Sequence, residues 1–145
     1  MRVVRSATLM MGFLLASAAL ASDLPRVEVY KSATCGCCER WVEHMRQAGF
    51  AVGTHDIADV PAQRARLGMP KGLGACHTAV VGDYVVEGHV PAADVKRLLA
   101  QRSQALGLAV PGMPSGSPGM EAPNPTTYDV LLVGRDGVVR TFATH

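Results

Sequence analysis

Residues 34–41 read Thr-Cys-Gly-Cys-Cys-Glu-Arg-Trp, three cysteines in four positions followed by the only tryptophan of the chain. The stretch sits where two periodicities meet. Before it, Arg26 to Tyr30 is β-rich and runs into the turn-like Lys31-Ser-Ala-Thr34. After it, Cys38, Trp41, Val42 and Met45 recur at i, i+3, i+4 and i+7, the single apolar face of a helix, and Gly49 supplies a stop. A strand, a tight connection and a helix with thiols at its N-terminus are therefore expected.

The remaining pattern extends that unit. Residues 50–57 read as a second strand. Asp59 is an N-cap candidate for a short helix that ends near Gly68-Met69-Pro70. Residues 77–90 form two β-rich runs about a Gly82-Asp83 turn, a hairpin signal. Pro91 opens a helix whose apolar stripe is Val95, Leu98 and Leu99. The order β-α-β-α-β-β-α predicts an α/β fold of thioredoxin-like plan, a mixed sheet flanked by helices. In that plan the first two strands are parallel and the third is antiparallel to the first. Ala75-Cys76-His77-Thr78 and Gly88-His89-Val90-Pro91 should then both reach the rim that carries the cysteines.

Composition changes after the third helix. Residues 107–125 hold nine Gly or Pro in 19 positions, so no regular element is expected there. A segment of this length is read as a long surface loop, fixed at both ends and carrying Met113 and Met120. Residues 128–144 then predict an added β-hairpin turning at Arg135-Asp136-Gly137.

Arg2 and Arg5 precede an apolar run, with Ala19-Leu20-Ala21 as a small-residue cleavage site. Residues 1–21 are thus expected to be a secretory signal peptide directing export, and residues 22–145 the domain, with no membrane attachment after cleavage. The run is short of the roughly 20 residues that span a bilayer. Without Arg2 and Arg5, the 14 Lys and Arg become 12, against 12 Asp and Glu. No basic run remains and aromatics are few, which argues against a nucleic-acid partner.

All four cysteines (Cys35, Cys37, Cys38, Cys76) fall in the exported part, where disulfides are the first expectation. Cys35–Cys38 with Cys37–Cys76 is one pairing, but it would crowd two bridges at one spot without stapling distant segments. A thiol-disulfide oxidoreductase using Cys35 and Cys38 is a second reading; against it, the position before the third strand is Cys76 rather than the proline such enzymes place there. A metal site is the third, because soft donors around one point improve binding. Thiolates and thioethers select Cu(I), with zinc the competitor. Cys35-Gly36-Cys37-Cys38 is too compact for independent corners of a relaxed tetrahedron, and crowded thiolates suit bridging in a Cu(I) cluster. Copper is preferred to zinc on that ground.

The segments CGCCERWVEHM, GACHTAVVGDYVVEGHVP and GLAVPGMPSGSPGME, followed by YDVLLVGRDGVVRTFATH, together resemble the CxCC thioredoxin-like metal-binding family, formerly a domain of unknown function. The resemblance covers nearly the whole exported part. It implies copper handling for copper resistance in the bacterial periplasm, with Cys35, Cys37, Cys38 and Cys76 as ligands of a Cu(I) cluster. Redox cycling between Cu(I) and Cu(II), hence a copper oxidoreductase, and exchange with other periplasmic copper-handling proteins are further implications.

His77, His89, Met113 and Met120 are additional candidate ligands. His77 either joins its neighbour Cys76 as a ligand or, by strand alternation, faces away, and His89 is either a ligand or a loop-fixing hydrogen-bond partner. The methionines either cap the site or pack the loop. Trp41 and Met45 are expected to be structural, with Trp41 walling the buried side of the cluster. His44, two turns beyond Cys37, is expected at the surface, and His55 in solvent. His145 is either frayed or folded back.

Overall fold

A computed structural model describes residues 24–145, so the signal peptide expected at 1–21 lies outside the described residues. Seven strands and three helices follow in the order β1 (Val27–Lys31), α1 (Gly36–Gln47), β2 (Val52–Asp56), α2 (Val60–Arg66), β3 (His77–Val81), β4 (Tyr84–Glu87), α3 (Ala92–Gln101), β5 (Gly107–Ala109), β6 (Asp129–Val133) and β7 (Val139–Thr144). The strands make one mixed sheet in the order β2-β1-β3-β4-β5-β6-β7. β1 pairs parallel with β2 and antiparallel with β3, and Lys31 faces His77 across that second pairing. The end of β1 and the start of β3 therefore share one rim, as the strand order requires.

Alternation along the strands builds a core on each face. Val86, Leu108 and Leu132 point to the side covered by α1 and α3, where Trp41, Val42, Met45, Val95 and Leu98 join them. Their neighbours Val85, Ala109 and Val133 point the other way and pack with Met69, Leu67 and Leu73, after α2. Each fully buried large apolar side chain is worth roughly 1.5–3 kcal/mol of transfer free energy. Asp59 caps α2 as expected, its carboxylate accepting from Ala62 N–H at 2.8 Å.

The segment expected to lack regular structure from residue 107 begins instead with β5. Leu108 and Ala109 alternate into the two cores, and the strand is fully buried between β4 and β6. A buried backbone must pair its polar groups. From Pro111 onward proline removes donors, and the chain becomes a loop held by turns such as Met120 N–H to Ser117 O. β6 and β7 form a hairpin closed across 134–138, with Gly134 N–H bonding Val138 O.

Candidate metal centre

Cys35 is the N-cap residue of α1, with extended backbone and no side-chain capping bond, so its thiol is not committed to the helix. The first turn places Cys37 and Cys38 at the second and third helical positions; Cys38 points into the core with no exposure while Cys37 is half-buried. Lys31, 2% exposed, reaches Glu39 at 2.5 Å and Asp56 at 2.7 Å, which ties the end of β1 to the first turn of α1 and to β2. Cys76 arrives from the residues preceding β3. The four sulfurs lie within 4.8 Å of one another.

Cys35 and Cys38 are joined as a disulfide, and Cys37 and Cys76 are free thiols. Cys37 Sγ is 3.5 Å from Cys35 Sγ and 3.6 Å from Cys76 Sγ. Half of the disulfide pattern considered from sequence is thus present, and the other two sulfurs stand close together unbonded. A disulfide sulfur is not a thiolate, so all four sulfurs become ligands only after two-electron reduction of Cys35–Cys38.

The position before β3 is clamped by an ion pair that sequence reasoning missed. Glu87, fully buried at the end of β4, accepts from Arg64 Nε at 2.7 Å and from Ala75 N–H at 2.8 Å. Arg64 Nη2 also donates to Ala75 O at 2.6 Å. The peptide preceding Cys76 is therefore bonded on both sides, by α2 through Arg64 and by β4 through Glu87. Burial pushes the Glu87 carboxyl up, opposed by the bonds from Ala75 and Arg64. The only hint in the sequence is a charged residue within an otherwise apolar strand run.

Both candidate imidazoles come to the site. β3 begins at His77, so Cys76 lies before the strand and alternation does not separate the two side chains: Cys76 Sγ and His77 Nδ1 are 3.6 Å apart. Of the two orientations left open for His77, the side chain takes the one beside Cys76. His77 is fully buried against Trp41, ring centroids 4.4 Å apart. Trp41 Nε1 donates to Val90 O at 2.8 Å, so the indole forms the inner wall.

His89 reaches the rim because Gly88 turns the chain with φ +72°. An added Cβ there would lie 2.5 Å from Val110 O and 2.6 Å from Ala75 Cβ, which leaves room for glycine only. His89 Nδ1 is 2.8 Å from Pro118 O, a bond in which only the nitrogen can donate, so the Nε2 lone pair faces Cys76 Sγ at 3.0 Å. Burial lowers the His89 pKa and takes that of His77 to about 3, so both rings are neutral. Burial pushes the Cys76 thiol up to about 12, with the neighbouring Cys37 adding to the rise. A helix terminus favours thiolates, but Cys76 is off the helix and desolvation governs it. The Cys76 thiol thus donates to His89, and a metal would displace its proton.

The Gly/Pro loop passes over the site. Gly112 N–H bonds Gly74 O at 3.1 Å, and Gly119 packs on the Cys37 carbonyl with its own carbonyl held by Arg40 Nε at 2.9 Å. Met113 follows the first contact and is 52% exposed; Met120 follows the second and is half-buried. Both lie on the covering loop, beside segments that carry cysteines. Met45 is buried in the core.

The other histidines lie elsewhere. His44 is half-buried rather than free at the surface: its Nε2 accepts from Ala92 N–H at 3.0 Å, satisfying an orphan donor at the start of α3. His55 is exposed, stacked on Tyr30 and bonded to Glu28. His145 folds back, its backbone paired with Tyr128 and its Nε2 2.6 Å from Asp94.

The donor set fits a soft metal. Sulfurs bound at about 2.3 Å to a shared ion require the close spacing seen, and neutral imidazoles add nitrogen donors without charge. Residues 73–120 match the family described as a protein of unknown function, DUF411. The chain is 44% identical to a solved structure titled copper resistance protein copG, form 2, covering 84% of this chain and 98% of that one with a TM-score of 0.80. Form 1 of the same protein matches at 44% identity, covering 83% and 98%, with a TM-score of 0.78. No curated protein matches the chain.

Proposed function

This chain belongs to the DUF411 family, to which it is joined by its likeness to the copper resistance protein CopG, and on that premise we propose that it is a periplasmic copper-binding protein of copper tolerance. Reduced Cys35, Cys37, Cys38 and Cys76 hold Cu(I) through bridging thiolates. The observation that carries this reading is the convergence of four sulfurs within 4.8 Å from two segments far apart in sequence. Crowded sulfur favours Cu(I) over zinc, which prefers separate tetrahedral corners.

The chain's own residues supply the rest. The Arg64–Glu87 clamp sets Cys76 opposite Cys37, Trp41 closes the inner side, and the Gly112–Gly119 stretch is bonded to Gly74 and packed on Cys37. Copper supplies one-electron chemistry when bound, and cycling between Cu(I) and Cu(II) belongs to this reading. Other periplasmic copper-handling proteins are the expected exchange partners, reached from the side where Cys35 and Cys37 are partly exposed.

Metal analysis of protein purified from copper-supplemented periplasm tests the proposal. At least one copper per chain is expected; zinc in its place overturns it. X-ray absorption then reports sulfur or nitrogen donors and the oxidation state.

A second reading, a thiol-disulfide oxidoreductase, is favoured by the Cys35–Cys38 disulfide at the N-terminus of α1. Disulfide reduction that persists in Cys37→Ser, with no copper bound by the unsubstituted protein, would support it over the first.

A further inference from the structure

Histidines aside, the charged side chains buried among the described residues are Lys31, Arg64, Glu87 and Asp94. Arg64 and Glu87 answer each other inside the protein. Asp94, on α3, is bonded to Arg97 and His145. Lys31 lies beside the cysteines and is 2% exposed, while its partners Glu39 and Asp56 are 55% and 56% exposed. We propose that Lys31 is a positioning residue for the cysteine site: the field of its buried ammonium favours the reduced, thiolate form of Cys35 and Cys38, and so sets how readily their disulfide opens to receive metal. For its bearing on metal the inference rests on the copper reading above.

The place of Lys31 in the fold carries the argument. It ends β1, and the turn that follows is closed by Cys35 N–H on Ser32 O at 3.1 Å. The first turn of α1 is then closed by Glu39 N–H on Cys35 O at 3.3 Å. Glu39, next in sequence to Cys38, is the residue that the ammonium holds at 2.5 Å. The cation thus lies against the turn that carries three of the four cysteines. Bonds to Asp56 and then to Glu39 raise the Lys31 pKa against the opposing effect of burial, so the charge is permanent.

Exposure decides the sign of the field. Charges in water are screened and a buried one far less so. Two half-exposed carboxylates therefore leave the ammonium's field positive on its inner side, where the cysteines are. A neighbouring lysine and a helix N-terminus both favour thiolate over thiol, whereas an uncharged disulfide gains nothing from either. Reduction is exchange with an external dithiol. The Cys35–Cys38 bond breaks, the dithiol loses two electrons as it closes to its own disulfide, and its two protons pass to solvent as the protein sulfurs emerge as thiolates. A cation that stabilises those products raises the reduction potential.

Equilibration of the metal-free protein with reduced and oxidised dithiothreitol tests this, with the Cys35–Cys38 disulfide counted by alkylation and peptide mass. Lys31→Met should move the equilibrium toward the disulfide at least about fivefold, a fall of about 20 mV. Lys31→Arg keeps the charge and should stay within about twofold. Glu39→Gln breaks the same ion pair but removes a negative charge, so it should move the equilibrium toward the dithiol. A bridge with only a structural role would send Lys31→Met and Glu39→Gln the same way. Shifts of the same sign, a Lys31→Met shift below about fivefold, or a Lys31→Arg shift as large as that of Lys31→Met overturn the inference. Near-UV dichroism of Trp41 checks folding. If Lys31→Met fails it, Glu39→Gln and Asp56→Asn decide, and in either a shift toward the disulfide, or none, overturns the inference. Copper uptake by the reduced, unsubstituted protein is measured in parallel. No uptake with the equilibria shifted as expected overturns the copper reading alone; uptake with the equilibria unmoved overturns the role of Lys31 alone.

Discussion

Cys76 Sγ lies 3.0 Å from Nε2 of His89, whose other ring nitrogen is bonded to Pro118 O. One sulfur is thereby tied through one imidazole to the loop that covers the site. The same sulfur is 3.6 Å from Cys37 Sγ, so Cys76 stands between the helix cysteines and the histidines.

Replacing Cys76 should therefore damage copper binding more than replacing any outer partner. In the reduced protein, Cys76→Ser is expected to lower Cu(I) affinity by more than the ~10–100-fold typical of lost supporting contacts. Competition against a chromophoric Cu(I) chelator reads this directly.

Oxidation should act as a gate on Cu(I). With Cys35 and Cys38 in a disulfide, only Cys37 and Cys76 remain as thiols. Titration before and after reduction should show the Cu(I) capacity rising on reduction. Equal capacity in both states would contradict a role for Cys35 and Cys38 as ligands.

The Arg64–Glu87 pair is buried on both sides, with side chains 8% and 0% exposed. Arg64→Ala would leave Glu87 buried without its cation and should cost about 3–5 kcal/mol, measured by urea unfolding. The loss should exceed that of Arg26→Ala, whose ion pair with Glu28 is solvent-exposed.

Gly119 has φ +87°, and an added Cβ would lie 2.7 Å from Cys37 O and 2.9 Å from Trp41 N. Backbone atoms in a helix cannot give way as a side chain can. Gly119→Ala should lift the loop from α1, at a cost of about 1–3 kcal/mol. Faster amide exchange over 112–120 is the measurement.

His44 supplies a pH dependence. Burial lowers its pKa, opposed by Glu121, and its Nε2 accepts from Ala92 N–H. An imidazole that stays neutral in the native state but protonates in the unfolded state gives stability that is complete above its ordinary value and is lost as pH falls. Protonation also sets a cation against the positive end of α3. Loss of the cap bond is worth ~1 kcal/mol, so stability should decline between pH 7 and 5, and His44→Gln should flatten that decline in denaturant titrations at each pH.

The sequence by itself determined the local elements and, through them, the rim. Apolar spacing of Cys38, Trp41, Val42 and Met45 specifies α1, and the strand order requires the end of the first strand to meet the start of the third; both follow from periodicity and chain connectivity, which are local or topological. Cysteine crowding likewise points to soft-metal chemistry. Tertiary structure alone decided which groups pair. β5 was hidden because its three residues are a strand only when β4 and β6 supply partners for both edges. His77 could not be oriented without knowing that β3 starts at that residue and not at Cys76. Arg64 and Glu87 are ordinary surface-type residues by composition, and only burial against each other makes them the clamp on Cys76. His44 looked solvent-facing because helix position says nothing of the N–H that α3 brings to it. Each of these outcomes depends on contacts between segments distant in sequence, whose energies are set by burial and by the pairing of polar groups.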